Sequence, residues 1–138
     1  MGLFDEALDA GTPTESGGDH EFFARILLAG YEIVYDPAAL SWHRHRRTAE
    51  ELKKAIYGYG SGVYAHWARL FTVEKEYSVA KLPINWFLRS QLPALGRSLL
   101  KRPGSLPKYL LMAELKGCYD GIRNYRKAKK KQESFERQ

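Results

Sequence analysis

Residues 16–47 constrain the fold of this chain more than any other stretch. They read S-G-G-D-H-E-F-F-A-R-I-L-L-A-G-Y-E-I-V-Y-D-P-A-A-L-S-W-H-R-H-R-R. We predict a helix that opens at Asp19, whose carboxylate can cap the first backbone N–H groups. We expect it to end at Gly30, which supplies a left-handed residue. Apolar residues at helical spacing predict a buried stripe of Phe22, Phe23, Ile26 and Leu27.

Two short strands are predicted after this helix. Residues 33–35 have the composition of a buried strand, and Asp36-Pro37 interrupts it. Residues 39–43 resume an extended run that carries His43 to its far end. Helix and strands together predict an α/β layer in a chain that is otherwise mostly helical.

A second helix is predicted to begin near Ala49. Thr48 and Glu51 stand at the spacing of a capping box, in which each side chain bonds the other residue's backbone N–H. The glycines that follow predict either a bend or close packing on a neighbour, and they do not fit a phosphate loop, because no strand precedes them. They are Gly58, Gly60 and Gly62.

The second half of the chain predicts helices separated by prolines. Pro83 suits a helix start, Pro93 predicts a break or kink unless a new helix begins there, and Pro107 lies at the start of a final helix. Gly117 and Gly121 are expected to loosen that last helix. The chain is predicted to end in a solvated basic tail.

Composition limits the class of protein. The 138 residues suit one globular domain, and a single cysteine excludes a disulfide framework or a multi-cysteine metal site. Residues 1–40 carry a net charge of −7, whereas residues 41–100 carry +6 and residues 101–138 carry +7. This asymmetry predicts that any catalytic or metal chemistry lies early and that contact with a polyanion or membrane surface lies late. We expect a cytoplasmic protein, peripheral at the cytoplasmic membrane.

Taken singly, the candidate site residues have ordinary explanations. Asp19 alone is a helix cap that contributes about 1 kcal/mol. His43 alone is more often a structural histidine than a ligand, and His20 and His66 have no partner at metal-ligand spacing. The basic cluster that follows His43 suits phosphate, nucleic acid or lipid headgroups equally well; its members are Arg44, His45, Arg46 and Arg47.

The order and spacing of the whole set are more specific. The series G-L-F-D-E, then G-G-D-x-E-x-x-x-R, then G-Y-x-I-V-Y-x-P, W-H-R-H-R-R and Y-G-Y-G resembles the C-terminal half of the catalytic domain of family-two glycosyltransferases with the GT-A fold. The resemblance covers residues 2–70, about half of the chain. It implies a GT-A, α/β fragment followed by helices, with a catalytic portion at 1–70 and a basic helical extension at 71–138.

The resemblance also implies roles for individual residues. Asp19 corresponds to the family's general base, although Gly18 stands where the commoner pattern has a second acid. His43 corresponds to the histidine that helps coordinate Mg²⁺ or Mn²⁺, with His45 as the alternative. The basic residues that follow His43 are candidate contacts to the diphosphate or the acceptor; they are Arg44, His45, Arg46 and Arg47.

The implied reaction is inverting transfer from a nucleotide-diphospho-sugar donor to a glycan or lipid-linked acceptor. The family's nucleotide-binding half, with its Asp-x-Asp motif, is expected to be missing before Met1, so we expect the isolated chain to be inactive. The alternative is a non-enzymatic basic module that binds a membrane surface or nucleic acid. We favour the membrane and expect no nucleic-acid partner.

Overall fold

The computed structural model describes residues 3–8, 10–42 and 46–135. Within these ranges the chain forms helices and no strand, so the predicted α/β fold is wrong and the described fold is all-helical. The helices are α1 (Gly18–Leu28), α2 (Ala49–Thr72), α3 (Leu82–Trp86), α4 (Leu92–Leu99) and α5 (Lys108–Phe135). A 3₁₀ turn at Tyr77–Lys81 precedes α3, and a π-helical turn at Phe87–Gln91 joins α3 to α4.

Helix α1 begins two residues earlier than predicted and ends where predicted. Gly17, with a φ of 110°, is the N-cap, so the prediction that Asp19 is the N-cap residue is wrong, although the Asp19 carboxylate does accept from the His20 backbone N–H. At the other end Gly30 has a φ of 82° and donates to the Leu27 carbonyl, while Tyr31 donates to the Ile26 carbonyl. These two bonds form a Schellman motif, which confirms the predicted stop.

The inward face of α1 is charged, not the predicted apolar stripe. Glu21 is fully buried, whereas Phe23 and Leu27 are exposed. Phe22 stacks on Phe4 with ring centroids 4.4 Å apart. The helix is therefore held mainly through Glu21, and its aliphatic residues lie outside the core.

The two predicted strands are absent from the described residues. Residues 31–36 have no regular structure, and Ile33, Val34 and Tyr35 are exposed. The predicted break after them is present, because the Ala38 N–H donates to the Asp36 carboxylate at 2.9 Å. A strand needs a neighbour to receive its backbone hydrogen bonds, and none of the described segments offers one to this run.

Helix α2 begins at the predicted capping box and continues without a break through its glycines. Thr48 accepts from the Glu51 N–H at 3.1 Å, and the Glu51 carboxylate accepts from the Thr48 N–H at 3.3 Å. A Cβ on Gly60 would lie 3.0 Å from the Cys118 nitrogen of α5. Close packing, one of the two predicted uses of these glycines, is therefore confirmed.

The long helix α5 packs along α2. A Cβ on Gly117 would lie 2.9 Å from the Ser61 nitrogen, and one on Gly121 would lie 2.9 Å from the Tyr64 Cβ. These glycines let the two helices approach and do not loosen α5 as predicted. The basic end, predicted to be a solvated tail, is helical up to Phe135.

A small core lies between the first residues of the chain, α2 and α5. Its buried members are Ala7, Leu8, Ala65, Tyr125 and Ala128. Pro83 starts α3 as predicted. Pro93 lies in the first turn of α4, which follows a π-helical turn, so the predicted alternative of a new helix at this proline is confirmed. No helix in the described ranges is both long and apolar enough to cross a membrane.

Candidate functional site

Asp19 presents its carboxylate to solvent from the first turn of α1. Its side chain is 69% exposed, and the N-cap of the helix is Gly17. One carboxylate oxygen, Oδ1, accepts from the His20 backbone N–H at 2.8 Å and lies 3.1 Å from Nδ1 of the His20 ring. The carboxylate thus accepts from one backbone N–H of the first turn of α1 and is otherwise open to solvent, where a ligand can reach it.

His66 of α2 belongs to the same region. Burial, followed by the positive charges that His20 and Arg69 can carry, lowers the pKa of His66 to about 4, and Asp19 opposes that shift. The imidazole is therefore neutral at neutral pH. It is 9% exposed, and within the described part of the chain its Nδ1 atom has no hydrogen-bond partner.

A buried ion cluster fixes α1 against the body of the protein. Arg69 of α2 is its centre: Nε donates to the Asp5 carboxylate at 2.7 Å, and one terminal nitrogen lies 3.0 Å from Glu21. The same nitrogen donates to Glu74 at 2.7 Å. Burial alone would lower the pKa of Arg69, but the hydrogen bond to Glu74 and the charges of Glu21 and Asp5 raise it overall.

Two further contacts extend this cluster to the other elements. Arg25 binds Glu21 one turn along α1 and also donates to the Leu3 carbonyl at 2.7 Å. The Tyr125 hydroxyl of α5 donates to the Asp5 carboxylate at 3.3 Å. The first residues of the chain, α1, α2 and α5 are thus joined through one buried set of charges, and Asp19 lies at its edge on a fixed helix.

A separate cleft of about 400 Å³ lies beside the first half of α2. The Arg46 guanidinium lies 6.0 Å from the centroid of the Tyr59 ring, and Lys54 lies 3.7 Å from the Glu15 carboxylate. All four of these residues line the cleft, and Asp19 is not among its lining residues. The cleft combines an aromatic face with both signs of charge.

The predicted site residues are described only in part. His43, Arg44 and His45 lie outside the described residues, so their predicted roles stay predictions. Arg46 lines the cleft, and the Arg47 backbone N–H donates to Glu51 at 2.8 Å. Within the described ranges no group of three or more His, Cys, Asp or Glu side chains could hold a metal ion. These ranges thus supply no complete ligand set, and the metal stays a prediction of the resemblance.

Sequence reasoning missed the residues that position Asp19. The spacing of Glu21 and Arg25, four residues apart on one helix, was a usable local signal for an ion pair. Asp5 and Arg69 are 64 residues apart, and no local pattern links them. The sequence near His66 contains no partner at metal-ligand spacing. In the fold, the charged groups that act on His66 include His20 and Asp19 of α1.

Comparisons with known protein families, curated proteins and solved structures found no match to this chain.

Proposed function

We propose that this chain is the acceptor side of an inverting glycosyltransferase and that Asp19 is its general base. The observation that carries the proposal is the position of the Asp19 carboxylate: it is exposed, and it lies in the first turn of a helix that is fixed by buried ion pairs. The order and spacing of the sequence series supply the reaction class. The proposal does not depend on a GT-A sheet among the described residues.

In the proposed reaction Asp19 acts as the general base. As the acceptor hydroxyl oxygen bonds to the anomeric carbon, the carboxylate takes the hydroxyl proton, and the bond to the nucleoside diphosphate breaks on the opposite face. The configuration at that carbon is therefore inverted. A carboxylate placed near the reacting oxygen can contribute about 10²- to 10⁴-fold to the rate of such a step.

The donor and the metal belong to the same proposal. The donor is a nucleotide-diphospho-sugar, and a bound Mg²⁺ or Mn²⁺ would supply neutralisation of the diphosphate charge. Arg46 is the described residue of the basic cluster whose guanidinium faces a cleft, so it is the candidate contact to a phosphate or acceptor group.

Nuclear magnetic resonance of the sugar product tests the reaction class. The assay uses the protein in its native form, including any complex to which it belongs. Nucleotide sugars are the donors, Mn²⁺ is the metal, and native membranes supply the acceptor. We expect acceptor-dependent release of nucleoside diphosphate and a glycosidic product whose anomeric configuration is opposite to that of the donor. Retention of configuration, or no release from any donor, would contradict the proposal.

A further inference from the structure

Residues 77–113 form a segment of unusual charge, which we call the basic segment. No Asp or Glu lies between Glu76 and Glu114, so the segment itself contains no acidic residue to balance its positive charges. Its six basic residues are all exposed; they are Lys81, Arg89, Arg97, Lys101, Arg102 and Lys108. Such a surface favours an anionic partner.

The first half of the basic segment also exposes large apolar side chains to solvent. Nine of the ten residues from 84 to 93 are exposed, and Gln91 is the exception, its amide lying 3.2 Å from the Cys118 sulfur. Monomeric proteins rarely expose so many large apolar side chains together. Those in this run are Ile84, Trp86, Phe87, Leu88 and Leu92.

The second half repeats the combination at the corner between α4 and α5. Leucines at the end of α4 are exposed beside Arg97, Lys101 and Arg102, and the first turns of α5 continue the pattern beside Lys108. The exposed apolar residues of this corner are Leu99, Leu100, Leu106, Tyr109 and Met112. Apolar and basic side chains are therefore interleaved along the whole basic segment.

We propose that the basic segment binds in the plane of an anionic lipid surface, with its apolar side chains among the lipid chains and its basic residues at the headgroups. Interfacial helices combine large apolar residues with Lys and Arg in this way. Nucleic acid would satisfy the charges and could stack on Trp86 or Phe87. It offers no partner to the aliphatic side chains of Ile84, Leu88 and Leu92, and this difference favours lipid.

The charged end of α5 is a contrasting surface on the same molecule. Lys127, Lys129, Lys130 and Lys131 are concentrated there, but the apolar residue among them, Ala128, is buried. The proposal therefore predicts that the basic segment, and not this more densely charged helix end, determines membrane binding. It stands independently of the proposed glycosyl transfer.

Vesicle flotation with the full chain tests the assignment. Vesicles of phosphatidylcholine alone are compared with vesicles containing about one third phosphatidylglycerol, at matched ionic strength. Each basic residue near an anionic surface strengthens binding about fivefold, so Arg97→Glu with Lys101→Glu should weaken it about 25-fold or more. Leu88→Glu should weaken binding to a similar degree while circular dichroism stays unchanged.

Two matched variants serve as controls. Lys127→Glu with Lys130→Glu changes the net charge by the same amount, and Leu28→Glu places a carboxylate at an exposed leucine of α1. Both should float nearly as well as the unaltered chain. The proposal would be overturned if the Lys127/Lys130 variant lost as much binding as the Arg97/Lys101 variant. It would also be overturned if the chain bound neutral vesicles equally well, bound no vesicles, or bound duplex DNA or single-stranded RNA more tightly at the same salt.

Discussion

Asp19 and Glu21 are two positions apart on α1 and have opposite environments. The side chain of Glu21 is fully buried between Arg25 and Arg69, whereas that of Asp19 is 69% exposed. Residues two apart on a helix point in well-separated directions, so one carboxylate can face the body and the other the solvent. Glu21 therefore has a structural role, and Asp19 is the carboxylate that is accessible from solvent.

His66 predicts a specific dependence of stability on pH. Its pKa is about 4 in the folded protein, against 6.5 for the ordinary side chain, so below about pH 6.5 the unfolded chain binds a proton that the folded chain does not. Above about pH 6.5 the neutral His66 side chain makes its full contribution to the free energy of unfolding. This contribution, up to about 3 kcal/mol, is lost as the pH falls from about 6.5 to about 4. Urea unfolding at a series of pH values measures this loss.

Two histidine variants separate this effect from the titration of carboxylates. His66→Leu removes the titrating group and should flatten the part of the profile between about pH 6.5 and 4. His20→Gln removes one of the positive charges that lower the pKa of His66, so the loss of stability should remain but should end at a slightly higher pH. A profile that His66→Leu does not change would show that His66 is not buried in its neutral form.

At the scale of elements, the α2–α5 contact depends on glycine. In Gly117→Ala the new methyl would meet the Tyr57 carbonyl and lie 2.9 Å from the Ser61 nitrogen, so the helices must move apart. We expect a loss of about 1–3 kcal/mol in the free energy of unfolding. Thermal or urea unfolding measures it.

Gly96→Ala in α4 is the matched control. A Cβ on Gly96 meets no atom within 4 Å, so the methyl adds no clash and alanine favours the helix. This variant should be unchanged or more stable by up to about 1 kcal/mol. Equal destabilisation by the two substitutions would mean that close helix packing is not the reason for Gly117.

The same elements show what the sequence could and could not predict. The start of α2 and the end of α1 depend on Thr48, Glu51 and Gly30, whose partners lie within five residues, and both were predicted correctly. Residues 31–42 have strand-like composition, but a strand also requires a neighbour, which composition does not specify. The buried partners of Arg69 come from Asp5 and Glu21, so they too were beyond local patterns.

On the scale of the whole molecule, two surfaces are positioned by one helical body. The ion cluster around Arg69 and the α2–α5 contact make that body, which holds Asp19 at the start of α1. The basic segment extends from the same body with its apolar residues exposed. The two proposals are compatible: Asp19 is proposed to act on an acceptor, and the basic segment is proposed to bind lipid. Together they suit an enzyme whose acceptor is embedded in a membrane.

The turnover of Asp19→Asn tests the central claim most directly. The amide keeps the shape of the side chain but cannot take a proton, so in the native polypeptide or complex we expect kcat to fall about 10²- to 10⁴-fold with little change in KM for the donor. Glu50→Gln, at an exposed carboxylate in the first turn of α2, should keep normal turnover. A kcat for Asp19→Asn as high as that of Glu50→Gln would contradict the assignment of Asp19 as the base.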